Sequence, residues 1–394
     1  MSTTDSTPTP DANENASEQG QDVSTIELFF DLVFVFAFTQ VTGFLVHHLT
    51  WAGVAKGAAL LAAVWWAWVM YSWLTGSVSP QEDLLQRVVI FTAMAAMLVV
   101  ALSVPGAFGD TALLFAVAYF VVRLLHIALY AAATPPETRD AVLRAAPGFL
   151  GGPALLVLAS FFDGPLKAIL WVIALAIDYG IVFVRGVEGF RVNVEHFVER
   201  YRLIVIIALG ESIVAIGSGV GTGGIALGPL VVLAAILAFV LIAVLWWLYF
   251  DYVVFAAEQR LAEESGHDLT LLARDSYSVL HLSIIGGIIF VALGLKQTLA
   301  HVDEPLGIIA AVALCGGSAL YLFGHTAWRY HDHGTYSTPR LIVAVIACIL
   351  IGVAVRIPAV AALAALVVLF VGLAAYETLY SADRREFYEQ QTAQ

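Results

Sequence analysis

Charge is what this sequence has least of. Asp, Glu, Lys and Arg make up 12% of its 394 residues, about half the roughly 25% of an ordinary globular domain. Basic residues are few and form no exposed stripe, which removes nucleic acid from the partners. The formal charge of -13 sits largely in the N-terminal tail and short loops, where it serves solubility. Only two cysteines are present, Cys315 and Cys348, both in apolar runs without Cys-x-x-Cys or Cys/His spacing. That excludes a disulfide framework and a zinc site, and both read as core filler. There is no Gly-rich phosphate loop ending in Gly-Lys-Ser/Thr, no His-Glu-x-x-His and no Gly-x-Ser-x-Gly. ATP hydrolysis and the common hydrolase designs are therefore unsupported, and no cofactor is implied.

What the chain has in abundance is long apolar runs. Hydrophobic residues reach 60% and the mean hydropathy is +0.88, the composition of a polytopic membrane protein whose main partner is the lipid bilayer. Spanning helices are expected at about 24 to 49, 52 to 75, 84 to 104, 110 to 132, 142 to 161, 165 to 185, 198 to 219, 228 to 256, 270 to 299, 305 to 330, 339 to 356 and 358 to 380. Pro80, Pro105, Pro135, Pro136, Pro165, Pro229, Pro305, Pro339 and Pro358 fall at the junctions, where proline starts or stops a helix. Residues 1–23 form an acidic tail without an apolar run, so it is neither a signal peptide nor able to fold alone. Residues 381–394 form a second polar tail.

Arginine sets the orientation. With the N-terminus in the cytoplasm, Arg87, Arg139, Arg144, Arg185, Arg191, Arg200, Arg202, Arg260, Arg274, Arg329, Arg340, Arg384 and Arg385 lie on that side, against Lys56, Lys167, Lys296 and Arg356 opposite. The positive-inside rule then places both termini in the cytoplasm.

The chain also repeats itself. Setting Glu27 over Glu199 brings Thr39-Gln40 over Glu211-Ser212, Trp65-Trp66 over Trp246-Trp247 and Tyr71 over Tyr252. Further on, Leu84-Leu-Gln-Arg87 meets Leu271-Leu-Ala-Arg274, and His126 meets His325. The simplest account is two parallel six-helix halves, 24–186 and 187–380, about an axis along the membrane normal.

Three of these stretches carry a family resemblance: Ser24 to Gln40 (STIELFFDLVFVFAFTQ), His196 to Ser212 (HFVERYRLIVIIALGES) and Trp246-Trp-Leu-Tyr-Phe-Asp251. Together they resemble the bacterial low temperature requirement protein A family, over nearly all of the chain after the first tail. The resemblance implies a multi-pass protein of the bacterial plasma membrane connected with growth at low temperature, and it implies no substrate. Phe30-Asp-Leu-Val-Phe34 is also similar to the Phe-Ser-Asp opening of a two-repeat, twelve-helix potassium channel family. Here that Ser is absent, Ile26 stands where a basic residue is expected, and the second half has Leu203 where Asp should recur.

A carboxylate at mid-bilayer depth costs about 2.5 kcal/mol or more to insert, so each one asks for a partner, water or a function. Glu211 lies about halfway along helix 7, on one stripe with His196, Glu199, Arg200, Leu203, Ile207, Gly210 and Val214. Ser212, Gly217, Ser218 and Gly219 keep this helix thin enough to pack tightly or to border a path. On helix 1, Glu27 and Asp31 share a face and either bind a cation, share a proton, or form a cap and a buried ion pair. The remaining candidates are Arg123 and His126 on helix 4, Asp178 on helix 6, Arg274, Asp275, Tyr277 and His281 on helix 9, and His325 and Arg329 on helix 10. Acids and bases are roughly matched, so a structural ion-pair network competes with a transport site. The clusters around Trp65, Trp66, Trp68, Tyr71 and Trp73, and around Trp246, Trp247, Tyr249 and Tyr252, read as interfacial belt and helix packing. His331-Asp332-His333 reads as a solvated turn rather than a metal site.

Two functions fit. The first is a secondary transporter or ion-conducting protein for a proton, cation or small polar solute, with Glu211 as the binding group and Thr39 and Gln40 as neutral ligands from the other half. The second is a membrane-embedded enzyme or helper acting on lipids or envelope precursors.

Overall fold

Every helix expected from hydropathy is present in the computed structural model, which describes residues 23–77, 83–186, 188–221 and 227–380. The helices are α1 (Thr25–His47), α2 (Trp51–Thr75), α3 (Leu84–Ser103), α4 (Ala112–Ala133), α5 (Pro136–Ala159) and α6 (Gly164–Val184), followed by α7 (Val194–Gly221), α8 (Pro229–Phe250), α9 (Gly266–Ala300), α10 (Ile308–His333), α11 (Thr338–Ala354) and α12 (Ala359–Tyr380). Ten helical segments are long and apolar enough to cross a membrane. Among the described residues no strand forms, and the protein is an all-α membrane bundle. Most of the two tails, Pro80 and the side chains of Ser218 and Gly219 lie outside the described residues.

Local chemistry sets the helix ends. Ser24 caps α1 through a capping box: the Glu27 N–H donates to Ser24 Oγ at 3.3 Å, and the Ser24 N–H donates to Glu27 Oε2 at 2.9 Å. Thr50 Oγ1 accepts the Gly53 N–H at the start of α2, and Asp83 accepts the Leu85 N–H at the start of α3. Pro136, Pro165, Pro229 and Pro339 occupy first-turn positions, where the missing N–H has no helical partner to lose.

Several boundaries differ from the hydropathy reading, three of them with consequences for the site. Helix α5 begins at Pro136 and runs through Pro147 and Pro153; its first turns are polar and amphipathic, so an apolar window misses them. The eighth span breaks at Asp251–Tyr252, and a short helix, Val253–Ala262, follows. Helix α10 runs to His333 and ends on Gly334, whose φ of 67° is the left-handed cap glycine favours. His331-Asp332-His333 is therefore the last turn of a helix rather than a loop, with Asp332 buried.

Packing follows one order in both parts of the chain. Helix α1 packs on α3, α3 on α4, α4 on α5, α5 on α6 and α6 on α2; likewise α7 packs on α9, α9 on α10, α10 on α11, α11 on α12 and α12 on α8. Helices α1 and α2 meet α7 and α9 between the two groups. The tightest crossing is α9 on α10: a Cβ on Gly287 would lie 2.7 Å from the Tyr321 nitrogen, and one on Gly317 would lie 2.9 Å from the Val291 nitrogen. Small residues at such crossings let backbones approach where no hydrophobic drive pulls helices together.

The aromatic clusters divide. Trp65, Trp66 and Trp68 are fully buried in the bundle, while Trp246 and Trp247 are exposed by 44% and 41%. Only Trp246 and Trp247 suit an interfacial belt, since Tyr249 of the same cluster is fully buried. Cys315 fills core as expected, but Cys348 is exposed. Gly210 and Gly217 do not mark tight packing either, since a Cβ at either would meet nothing within 4 Å. Val214 is 52% exposed, so the buried stripe of α7 continues from Glu211 to Ala215 instead.

Candidate functional site

The candidate residues gather in several places rather than one. In the first, at the start of α1 and α7, Arg200 Nη2 lies 2.9 Å from Asp31 Oδ1 and its Nη1 lies 3.8 Å from Glu27 Oε1. His196 Nε2 is 3.0 Å from Glu27 Oε1, and the indole N–H of Trp68 donates to Asp31 at 2.9 Å. Each helix presents its pair at i and i+4, hence on one face. Glu199 stays half-buried at the edge, where its Oε2 takes the Val23 N–H at 3.4 Å.

The second place joins α4 to α6. Arg123 donates to Asp178 Oδ1 at 2.6 Å, and the Tyr119 hydroxyl donates to Oδ2 at 3.0 Å. Gly152 of α5 gives Asp178 room, since a Cβ there would lie 3.0 Å from the Asp178 Cβ. One turn beyond Arg123, His126 is buried between Tyr71 and Tyr130, with ring centroids 5.5 Å away in each case. Neither of its nitrogens has a hydrogen-bond partner among the described residues.

The third joins α10, α11 and α12. Arg340 grips Glu377 with two bonds of 2.8 and 2.7 Å, gives Nη1 to His325 Nδ1 at 2.9 Å and gives Nη2 to the Leu248 carbonyl at 3.0 Å. In the fourth, a π-helical turn over Ala273–Leu280 brings neighbours Arg274 and Asp275 into a fork of 2.6 and 3.0 Å, with Arg274 also donating to the Val182 carbonyl. His281 bonds the Tyr249 hydroxyl at 3.0 Å and the Ser276 carbonyl at 2.9 Å.

Glu211 is different. It is 2% exposed and lies about 25 Å along α7 from Val194 at about 1.5 Å per residue. Its hydrogen bond comes from the Thr39 hydroxyl of α1. Among the described residues it makes no ion pair; Lys296 of α9 acts on it only through space. Gln40 and Ser212 flank the contact, and Ser212 Oγ is buried without a partner among the described residues. A buried carboxylate opposite a guanidinium is neutralised where it stands. One that meets only a hydroxyl has capacity for a proton or a cation.

Two cavities complete the geometry. One of about 740 Å³ lies between α8, the short helix, α10, α11 and α12, and His325 and Trp247 are on its wall. One of about 30 Å³ lies among α2, α4, α5 and α6, lined by His126 and Trp66.

Sequence reasoning missed several partners: Tyr119, Trp68, Arg340, Glu377 and Asp332. In the sequence, Arg340 and Arg260 stand out only as topology signals. Glu377, an acid in the last apolar helix, was the available signal, because an intramembrane acid predicts a basic partner. Nothing in a one-dimensional pattern marks Trp68 or Tyr119, whose polar atoms point inward only because of helix rotation.

Comparison with known proteins agrees with this architecture. The family model described as bacterial low temperature requirement A protein (LtrA) matches residues 22–375. An uncharacterized protein of Rhizobium meliloti (strain 1021), RA0937, is 33% identical over 320 residues, covering 77% of this chain and 75% of the relative. No solved structure matches.

Proposed function

The chain belongs to the bacterial low temperature requirement A family, and from that premise we propose that it is a secondary transporter or ion-conducting protein of the bacterial plasma membrane, with Glu211 as its proton- or cation-binding group. The observation that carries this reading is the separation of the buried charges into two kinds. Glu27, Asp31, Asp178 and Glu377 each face an arginine or histidine from another helix, the pattern of structural ion pairs. Glu211 differs in making no ion pair among the described residues: a hydroxyl holds it, and that hydroxyl comes from α1, the helix that the internal repeat sets against α7.

The two-half organisation supports a path at this interface. Residues matched by the repeat, Thr39 and Glu211, touch each other, as equivalent positions do beside a two-fold axis. The helix neighbours follow the same order in both halves. Trp66 and His126 line the small cavity, which Arg274 and Ser278 of α9 also border, while their counterparts Trp247 and His325 line the cavity of about 740 Å³. On this reading both termini face the cytoplasm, and the halves share a scaffold while differing in charge.

Purified protein in sealed liposomes tests the proposal. An imposed proton or cation gradient is expected to dissipate faster than in empty vesicles. Glu211→Gln should abolish the excess flux without loss of folded protein, and Thr39→Val should slow it. If the wild-type chain moves nothing under any imposed gradient, the transport reading is wrong; a bound phospholipid or polyprenyl species consumed on incubation supports the lipid-processing alternative instead.

A further inference from the structure

Two hydroxyls of α1 act on Glu211, and each carries a single hydrogen. Thr39 has two acceptors within reach: the Val35 carbonyl of its own helix at 3.0 Å, and Oε2 of Glu211. Thr42, one turn on, gives its hydrogen to the Phe38 carbonyl at 3.1 Å. The choice open to Thr39 lets one side chain serve Glu211 in both of its forms. An ionised carboxylate only accepts, and the Thr39 hydrogen then points to Oε2. A protonated carboxyl donates; the Thr39 oxygen then accepts the new hydrogen while its own turns to Val35. A carbonyl within a helix has its N–H partner in either case, so neither form leaves a buried group unpaired. We infer that the species bound at Glu211 is a proton, with the Thr39 hydroxyl as the partner that reverses its hydrogen bond when the carboxyl gains or loses it. Binding forms one O–H bond at Oε2 and breaks one in a hydronium ion; release reverses both. The inference rests on the reading of Glu211 as the binding group and narrows what it binds.

The same atoms serve a metal ion poorly. Such an ion needs several oxygens around a space of its own size, and here Thr39 Oγ1 and Glu211 Oε2 are already in contact. Charge gives the same answer. Helices α1, α2, α8, α9 and the short helix Val253–Ala262 pack on α7. On α1, Glu27 and Asp31 are held by His196 and Arg200 of α7, and His47 is exposed. Lys56 of α2 lies over the Phe108 ring at 5.2 Å, and α8 has no acid or base from Pro229 to Phe250. Glu258 and Arg260 of the short helix are bound to Arg202 and Glu264. Beyond His281, α9 carries a single charge, Lys296. Among the described residues this leaves the Lys296 ammonium as the charge that acts on Glu211. An ionised Glu211 and Lys296 together are neutral, so a metal ion meets no net attraction there, whereas a proton is held by a covalent bond.

Infrared difference spectra of the full chain in phosphatidylglycerol nanodiscs, recorded in heavy water between acid and alkaline buffer, test this without a gradient. The C=O band of a protonated carboxylic acid should appear on the acid side, and Glu211→Gln should remove it. Thr39→Val keeps the shape and loses the oxygen; it should move that band to higher frequency, while Thr39→Ser should leave it in place. Glu211→Asp keeps the acid on a shorter stem and should shift the band rather than remove it, which assigns the band even where the amide variant does not fold. Sodium or potassium chloride, added at constant pH and ionic strength, should leave the band unchanged. The assignment is overturned if Glu211→Gln removes no band, if Thr39→Val leaves the band at its wild-type position, or if sodium or potassium abolishes it. These outcomes separate from the transport reading. A Glu211 band without flux in liposomes keeps the proton site and ends the transporter, whereas Glu211-dependent sodium or potassium flux without proton flux does the reverse.

Discussion

Arg123 and Asp178 meet at 2.6 Å with side chains exposed by 0% and 3%, and their partnership sets what single substitutions do. Removing one member strands the other in a medium of low polarity, at a cost of about 3–5 kcal/mol, while replacing both with apolar residues of similar volume is often neutral. Arg123→Met and Asp178→Leu should each lower the melting temperature and yield of detergent-purified protein sharply, and the double variant should recover most of the loss. Strict additivity in that cycle would exclude the pairing. The same comparison separates structural from functional charge, since Glu211→Gln removes no ion-pair partner and should leave the melting temperature near wild type. At this scale the sequence was half legible. That Glu211, Asp31 and Asp178 are special follows from their depth in apolar helices. Which arginine each one meets depends on helix rotation and crossing, information that hydropathy does not contain; Glu377 and Arg340 escaped notice for that reason, 37 positions apart and on consecutive helices.

Glycine spacing and a π-helical turn govern the elements. Helices α9 and α10 cross with Gly287 and Gly317 in contact range of each other's backbones, so a larger side chain at either has nowhere to go. Gly317→Leu should collapse folded yield, as overpacking of a rigid crossing does. Gly217→Ala on α7, whose added Cβ meets nothing within 4 Å, should be recovered at wild-type yield; equal damage from both would remove the argument. The π-helical turn of α9 matters in another way. It turns Ser278 toward α2 and α7, where its carbonyl takes the Trp65 N–H at 2.8 Å and its hydroxyl bonds Trp73 and Tyr201 at 2.9 and 3.2 Å. Such turns often sit at functional places in helices. Helix existence was readable throughout, because apolar length alone decides it. The amphipathic first turns of α5 and the break before Val253 were not, since polar helical turns and loops share a composition.

Among the described residues, twelve helices besides the short Val253–Ala262 fall into two similarly ordered groups, and these halves should be separable in the chain but not in the membrane. Helices α1 and α2 bury surface against α7 and α9, so each half alone leaves an apolar and polar seam exposed, including Thr39 on one side and Glu211 on the other. The repeat predicts that the connection between α6 and α7 can be cut, provided that Gly189 and Phe190 keep their contacts with Thr138, Trp73 and Tyr130. Expressed as two chains, 1–186 and 187–394, the halves should copurify through a tag on one of them and restore the Glu211-dependent flux, while either half alone yields little folded protein. An even number of helices in each half keeps both chain starts on the same face, so reporters fused after Gln394 and after residue 186 should both be active only as cytoplasmic fusions. Halves that never copurify, or a residue-394 reporter active on the far side, would overturn the organisation. The proposed repeat rests in the sequence on an ordered series of weak matches. Its consequence does not: that the matched residues Thr39 and Glu211 lie in contact follows only from how α1 and α7 face one another. On the proposed function, an asymmetric pair at that seam, one hydroxyl and one carboxylate, would give the two groups of helices a single site between them.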